Sequence, residues 1–566
     1  MKKKNFVLDL FVPFLFVVLI TFHPFYLHGE LNFFELGIYL SGIQALLDGA
    51  VPYRDFFHLR GPFELYMPAF LMRLFGENIA VLFTYFYIGT VMTLLVCVAL
   101  GKQIFTTRLF YYLAIPVLVA KTFPRVVFTY WGGMRFALGL MAIACGVQYF
   151  NSRKSRWMLM SGIIGACSFW TSIEMGVYTC IAITMTLVLC ALTRVLDKKD
   201  FIKLLALFAG GFLVIGLPYT IYLEVNSAFL PFCEATHTVI QNMENTFPQV
   251  EAVPQNPVEA VGAMLNPGSK NFRHLTPAYL YIFLTIYFAR RIKSKAFRLS
   301  DGPVVCLALY GLIFFIGSFR NIWSSNFEMV LQPDKLLLFF LLERIFFYFR
   351  IRKECMLQEI KEQKRPMFRK HAKVYLVNVF IVGVIVSSIG YPIQRYNKRF
   401  FAFQFVRNTI LGKETDSLKP LHDTETSKLM IDRAKGLTVP SWQARDFVEL
   451  TQFIHERTSP REPVFIYPEG AAYSFIIDRP FVGRFPMGTF AWFNERSHKE
   501  YLRDLARLQP KFAVIPKALP GYFERTHFIV DANKQKYDEV MRYIERHYEL
   551  VTSTPTLNIL KLRNLK

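Results

Sequence analysis

The chain has 566 residues, 53% of them hydrophobic and 16% aromatic, with 58 Phe, a formal net charge of +23 and a mean hydropathy of +0.30. A water-soluble domain cannot hide that much apolar surface, so the repeated apolar runs of about 18–22 residues are read as membrane-spanning helices. The positive charge sits in short clusters between those runs, which is a topology signal and argues against a nucleic-acid groove.

The start, MKKKNFVLDLFVPFLFVVLITFHPFYL, has the outline of a signal peptide. Its apolar part is long and lacks a small-residue cleavage site, so an uncleaved first helix over 5–28 is expected. Further spans are expected at 78–101, 108–122, 133–151, 156–172, 174–193, 202–223, 276–290, 303–319, 330–349 and 373–392, about eleven in all. Alternate connectors are basic: Lys2 to Lys4; Lys102 and Arg108; Arg153, Lys154 and Arg156; Arg194, Lys198, Lys199 and Lys203; Arg290 to Arg298; and Arg350 to Lys373. Positive charge stays cytoplasmic, which places the N-terminus inside and the chain beyond Tyr391 outside. The 29–76 segment, the 121–135 connector, the 224–275 segment and the C-terminal part then share the outer face of what reads as a bacterial cytoplasmic membrane protein. The expected fold is mainly α: a transmembrane domain over 1–395 and an extracytoplasmic α/β domain over 396–566.

The 29–76 segment carries Glu30, Glu35, Asp48, Arg54, Asp55, His58, Arg60 and Glu64 among apolar residues. Leu36, Tyr39, Leu40, Ile43, Leu46 and Leu47 recur at helical spacing, Asp48-Gly49 breaks the pattern, and a second stretch runs from Phe63 to Phe75 before Gly76. Two helices lying in the membrane interface, apolar side down, are expected. The 224–275 segment is polar and rich in Asn and Pro, and reads as a long outer loop. Beyond it, WQARDFVELTQFIHERT, KEYLRDLARLQP and KYDEVMRYIERHYELV read as helices, and PVFIYPE, KFAVIPK and LNILKLR as strands, the alternation of a small α/β domain. The eight cysteines show no CxxC or Cys/His ligand spacing and read as small apolar core residues.

A carboxylate at the start of an interfacial helix can act as a general base at the membrane surface, and Glu35 stands there; Glu30, Asp55 and Glu64 are alternatives. The plain structural reading of Glu35 is a solvated carboxylate favoured by the helix dipole. Arg60 precedes a Gly-Pro that pins the backbone. A fixed guanidinium suits a phosphate through paired hydrogen bonds, although an arginine snorkelling to lipid headgroups has the same sequence signature. Arg125, Arg135 and Arg320 lie on expected outer connectors, against the charge bias. His58, Tyr39 and Glu174 are further candidates. The sequence has no Walker A loop, GxGxxG, HExxH or GxSxG context, so nucleotide-driven transport and zinc peptidase chemistry have no support in it.

The run ELGIYLSGIQALLDGAVPYRDFFHLRGPFELYMPAFLMRLFG resembles the first outer loop of the GT-C membrane glycosyltransferases, in the family-39-like branch of protein O-mannosyltransferases and the lipid A aminoarabinose transferase. Glu35 precedes Tyr39 by the spacing of the family's catalytic Asp, and Arg60-Gly61-Pro62-Phe63 falls where a Lys-Pro-Pro-Leu-like turn stands. Leu74-Phe75-Gly76 closes the segment as the family does. The sequence departs from the pattern at Glu35 for Asp, Leu36 for the second acidic residue, Arg60 for Lys and Gly61 for the first Pro. The resemblance implies a hexosyl or pentosyl transferase with a polyprenyl-phosphate sugar donor. Arg60, with Arg125, Arg135 or Arg320, would hold the donor phosphate. Glu35 would act as base on an envelope lipid, glycan or protein acceptor. No cofactor is implied; a divalent metal has no support in the residues. The alternative is a non-catalytic or transport-type protein handling lipid-linked sugars, but mid-membrane charges are few and no duplication of halves is seen.

Overall fold

The computed structural model describes residues 5–31, 33–122, 133–241, 262, 272–317, 332–362, parts of 379–396, and then 400–412, 425–488, 494–519, 521–528 and 530–563. A π-helical turn at Val7–Phe11 leads into α1 (Val12–Thr21). The first apolar element therefore stops before the expected 28: Phe22 turns extended and His23 precedes Pro24, a position where the helical conformation is disfavoured. α2 (Phe33–Leu47) and α3 (Phe63–Phe75) follow, then α4 (Ile79–Ile104), α5 (Arg108–Thr122), α6 (Arg135–Ser152), α7 (Arg156–Thr171), α8 (Ile173–Leu192) and α9 (Lys198–Val225). After these come α10 (Phe229–Gln241), α11 (Phe272–Lys293), α12 (Gly302–Gly317), α13 (Gln332–Glu362) and α14 (Phe401–Ile410). Among the described residues, four stretches are long and apolar enough to cross a membrane: α4, α8, α9 and Leu299–Gly317. The 373–392 span lies largely outside the described residues.

Helix–helix packing in the apolar body depends on small residues. A Cβ on Gly162 of α7 would stand 2.1 Å from the Phe208 carbonyl oxygen of α9, and one on Gly211 of α9 would stand 2.2 Å from the Leu159 carbonyl oxygen of α7. Two backbones approach this closely only where both faces lack side chains. The seven described cysteines carry no disulfide.

Three sequence expectations are corrected. First, α2 does not lie on a bilayer surface with one face open. Leu36, Ile38, Tyr39, Leu40, Ser41, Ile43 and Gln44 are all buried. The apolar stripe marks only one of its faces. The other, built of Gly37, Ser41 and Gln44, is small and polar enough to admit the C-terminal elements. A Cβ on Gly37 would meet Met487 and Ala471. α3 does keep an open apolar face, at Met67, Phe70, Leu74 and Phe75, opposite buried Leu65, Pro68, Ala69 and Met72. Second, the 224–275 segment is not a loop at its start, because Phe232, Ala235 and Thr238 bury one face of helix α10. Residues 242–261 and 263–271 of it lie outside the described residues. Third, the last predicted helix ends early, as the strand below shows.

The C-terminal elements are β1 (Thr426–Lys428), β2 (Thr438–Pro440), α15 (Ser441–Arg457), β3 (Phe465–Ile466), α16 (Ala471–Ile476), α17 (Glu495–Leu508), β4 (Phe512–Pro516), α18 (Gly521–His527), α19 (Asp531–His547), β5 (Tyr548–Ser553) and β6 (Leu557–Leu562). The main sheet has the order β3-β4-β6-β5. β3 and β4 are parallel (Ile466 opposite Val514), and the β4–β6 and β6–β5 pairs are antiparallel (Val514 opposite Ile559, Tyr548 opposite Leu562). Tyr548 to Leu550, expected as the last turn of a helix, instead pair with β6, and Val551 sits at a bulge in the same strand; the buried Tyr548 hydroxyl donates to the Pro510 carbonyl at 2.8 Å.

Backbone and side-chain hydrogen bonds staple this unit to the 29–76 segment. Gly29 N donates to Thr438 O (2.9 Å), Thr438 N to Leu27 O (3.0 Å) and Phe57 N to Arg484 O (2.8 Å). Gln443 brackets Leu31 through its amide oxygen and nitrogen at 2.9 and 3.1 Å. Arg433 pairs with Glu77 (3.0 Å) and Asp478 (2.5 Å). One hydrophobic core accordingly runs from Leu31 through Phe86 into Phe447, Phe475 and Ile559.

The α7–α9 contact gives the first prediction. Gly162→Leu lowers the thermal unfolding midpoint of the detergent-solubilised protein, by about 2 kcal/mol or more of stability for a forced overpacking. Gly210→Ala, where an added Cβ meets nothing within 4 Å, does not lower it.

Candidate functional site

The segment between α2 and α3 is folded on itself before it reaches Arg60. Gly49 takes φ +89° at the end of α2. Asp55 caps a turn by accepting from Val51 N at 2.7 Å, and Tyr53 N donates to Phe56 O at 2.8 Å. The Tyr53 hydroxyl then donates to the Arg60 carbonyl at 2.5 Å. The next residue, Gly61, lies against the end of α7, where a Cβ would stand 2.2 Å from the Trp170 carbonyl oxygen. A hydrogen bond on one side and a backbone contact on the other set the Arg60-Gly61-Pro62 turn.

The guanidinium of Arg60 turns inward, with its side chain 12% exposed. It donates to the Tyr39 hydroxyl at 2.5 Å, and that hydroxyl donates to Glu64 Oε1 at 2.8 Å. The second Glu64 oxygen is 3.7 Å from Arg60, and Glu64 is 1% exposed. A buried carboxylate persists only with a compensating charge and hydrogen bonds, and Arg60 and Tyr39 supply both. Glu35 belongs to the first turn of α2, and its position is one helical turn before Tyr39. Its side chain lies outside the described residues.

A second ionic cluster stands on the other side of the same corner. Arg135, at the start of α6, donates to Ser172 Oγ at 3.1 Å and pairs with Glu174 at 3.3 Å. Tyr178 donates to the other Glu174 oxygen at 2.8 Å. Gly61 touches Trp170 and Thr171, and Arg135 holds Ser172, so residues 170–172, the end of α7 and its junction with α8, connect the two clusters.

The remaining candidates fall elsewhere. Asp55 is bound through both oxygens to exposed Arg54 (2.8 and 2.7 Å), which holds its carboxyl below the usual range. Glu30 is exposed. Arg125 and Arg320 lie outside the described residues. His58 is buried (3% exposed), and burial together with the neighbouring Arg60 charge lowers its pKa to about 3, so its ring is neutral. Among the described residues, no group of three or more His, Cys, Asp or Glu side chains is placed to hold a metal. Tyr39, a candidate from the sequence, turns out to link Arg60 to Glu64, a role the sequence did not show; the Gly61 contact and Ser172 were not anticipated. The Arg60/Glu64 spacing of four was the available signal for the pair.

Three residues beyond Arg60, an open apolar groove of about 510 Å³ begins between α3 and α9, lined by Phe63, Tyr66, Met67, Phe70, Tyr219 and Tyr222. Tyr66 donates to Tyr222 at 3.4 Å on its edge.

No family model and no curated protein matches the sequence. Among solved structures, ArnT from Cupriavidus metallidurans bound to undecaprenyl phosphate is similar over 99% of this chain and 97% of its own, with a TM-score of 0.51 and 12% identity. The same protein in the apo state gives a TM-score of 0.47 at 12% identity over 97% and 96% of the two chains. An Archaeoglobus fulgidus oligosaccharyltransferase gives 0.47 at 12% identity over 90% of this chain and 68% of that one.

Two predictions follow from the geometry. Gly61→Ala forces the turn off Trp170 and destabilises the protein by about 1–3 kcal/mol, read as a lower unfolding midpoint. His58 gives a pH dependence. Its folded pKa of about 3 lies below the ordinary 6.5, so the unfolded chain takes up the proton first. Its contribution to stability is present above pH 6.5 and is lost as pH falls toward 3. The unfolding midpoint therefore drops less steeply between pH 6.5 and 4 in His58→Gln than in the parent.

Proposed function

We propose that this chain, whose fold is that of the GT-C membrane glycosyltransferase ArnT, transfers a sugar from a polyprenyl-phosphate donor to an envelope acceptor. The observation that carries this reading is the inward Arg60, held by Glu64 and by Tyr39, which stands one helical turn from position 35, with the apolar groove between α3 and α9 beginning three residues further along the chain. The groove suits an isoprenoid tail, since its lining is aromatic and aliphatic. The donor's phosphodiester is assigned to Arg60, a cation whose orientation is already fixed by Tyr39 and Glu64.

In the reaction, the acceptor attacks the anomeric carbon of the sugar. Glu35 takes the acceptor's proton as the new glycosidic bond forms. The bond from the anomeric carbon to the phosphate oxygen breaks, and its electron pair leaves with the lipid phosphate. Arg60 stabilises the negative charge that gathers there, where a preoriented donor lowers the barrier most. Tyr39 and Glu64 act as positioning residues for Arg60. Arg135 is the second cation we assign to the phosphate, from across the 170–172 corner, and Arg125 and Arg320 are further candidates. The transferred sugar is a hexose or pentose. The reaction balances without a cofactor. The protein resides in the bacterial cytoplasmic membrane, N-terminus inside, with the site and the C-terminal unit on the extracytoplasmic side, as the basic connectors imply.

Assay of sugar transfer from polyprenyl-phosphate donors by the purified protein tests this reading. Glu35→Gln is expected to lower turnover by at least about 100-fold, the usual contribution of a general base. Arg60→Ala weakens use of the donor, and Arg60→Lys restores part of it. Full activity in both Glu35→Gln and Arg60→Ala would sink the site. Donor binding without turnover would favour a lipid-linked-sugar handling protein.

A further inference from the structure

A second cavity, polar and of about 190 Å³, opens where the 29–76 segment, α10 and the C-terminal elements meet. Its walls are tied together. Phe57 N donates to the Arg484 carbonyl at 2.8 Å, and the Phe57 and Phe485 rings stand 5.5 Å apart at 36°. Across the gap, Asn494 reaches Thr238 of α10 at 3.4 Å.

The charges of this cavity come in opposite pairs. Arg484 meets Glu500 at 3.4 Å, and Arg496 of α17 meets Glu234 of α10 at 3.7 Å. An anion entering would face Glu500 and Glu234, and a cation would face Arg484 and Arg496. Each pair is at or beyond ordinary hydrogen-bond length, and buried Arg484 Nε has no hydrogen-bond partner among the described residues. The ligand that fits is neutral, with groups that both donate and accept at every position, which describes hydroxyl groups. The aromatic pair adds faces of partial negative charge that attract the C–H bonds of a ring. A pyranose combines the two, and the cavity, of about 190 Å³, has room for a ring of that size.

We propose that this cavity binds one sugar unit of the acceptor, so that the acceptor is a glycan or glycolipid and not a protein side chain. The proposal rests on the transferase reading above and names its acceptor class.

The test uses the full-length protein in lipid nanodiscs on an array carrying bacterial envelope oligosaccharides beside Ser-, Thr- and Asn-containing peptides. Retention of one or more oligosaccharides and of none of the peptides is expected. Glu500→Gln and Arg484→Gln each lower that retention by about tenfold, the loss of one charge-assisted hydrogen bond, and Thr238→Val lowers it less. Unfolding midpoints identify any variant that misfolds; Glu500→Gln and Thr238→Val decide the matter if Arg484→Gln does. Retention of peptides instead, of no oligosaccharide, or equal retention by parent and folded variants overturns the proposal. Binding of undecaprenyl phosphate, measured separately on the parent protein, reports on the donor reading alone, so failure of one is not confused with failure of the other.

Discussion

The close approach of Gly61 to the carbonyl of Trp170 is the contact on which the rest of the site depends. A chain segment entering between α2 and α3 has many ways to cross the end of a helix pair. Only a residue without a side chain lets its backbone rest on the turn between α7 and α8, and Pro62 then sends the chain directly into α3. With the turn seated there, Arg60 has one direction in which to point, toward Tyr39 on α2. The neighbouring residue of the same corner, Ser172, receives Arg135. The Gly61 contact and the Arg135–Ser172 hydrogen bond thus bring two arginine-bearing segments to the same three residues.

Electrostatics determines why these arginines come with acidic partners. An unpaired guanidinium in an apolar setting carries a large desolvation cost, and a paired one is restrained in direction as well as compensated in charge. Glu64 reaches Arg60 partly through Tyr39, whose hydroxyl accepts from one and donates to the other. That relay leaves the ion pair at 3.7 Å instead of in full contact. Glu174 instead meets Arg135 directly at 3.3 Å and takes a second hydrogen bond from Tyr178 at its other oxygen. In both clusters a tyrosine hydroxyl satisfies one carboxylate oxygen, and the arginine meets the carboxylate through a single nitrogen without a bidentate contact.

Much of this was legible in the sequence where a single element announces itself. The apolar periods gave α4, α6, α7 and α8 nearly to the residue, and the break at Ser172 fell where 156–172 and 174–193 were divided. Arg60-Gly61-Pro62 stood out because Gly-Pro constrains a backbone locally. What stayed hidden depended on partners distant in the chain. Arg135 and Glu174 were each visible, but their pairing rests on the packing of α6 against α8. α2 looked interfacial because its Gly37/Ser41 face reads as a polar, solvated side until α16, more than 400 residues later, is known to cover it. Tyr548 to Val551 continued a helical pattern and became a strand because β6 offered hydrogen bonds to an edge.

The burial of α2 also explains how the apolar body and the C-terminal unit form one working structure. Its Tyr39 side carries the Arg60 cluster, and its Gly37 side carries α16 and Met487. A helix lying in a bilayer interface would be free to shift by the width of a headgroup. A helix enclosed on both faces is held to the tolerance of protein packing, in which even a methylene is felt. The staples at Leu27, Leu31 and Phe57 act in the same sense, since each ties the segment bearing the site to the C-terminal unit, Leu27 and Phe57 backbone to backbone and Leu31 through the Gln443 amide. The Arg60 cluster and the polar cavity at Phe57 are therefore built around one continuous core.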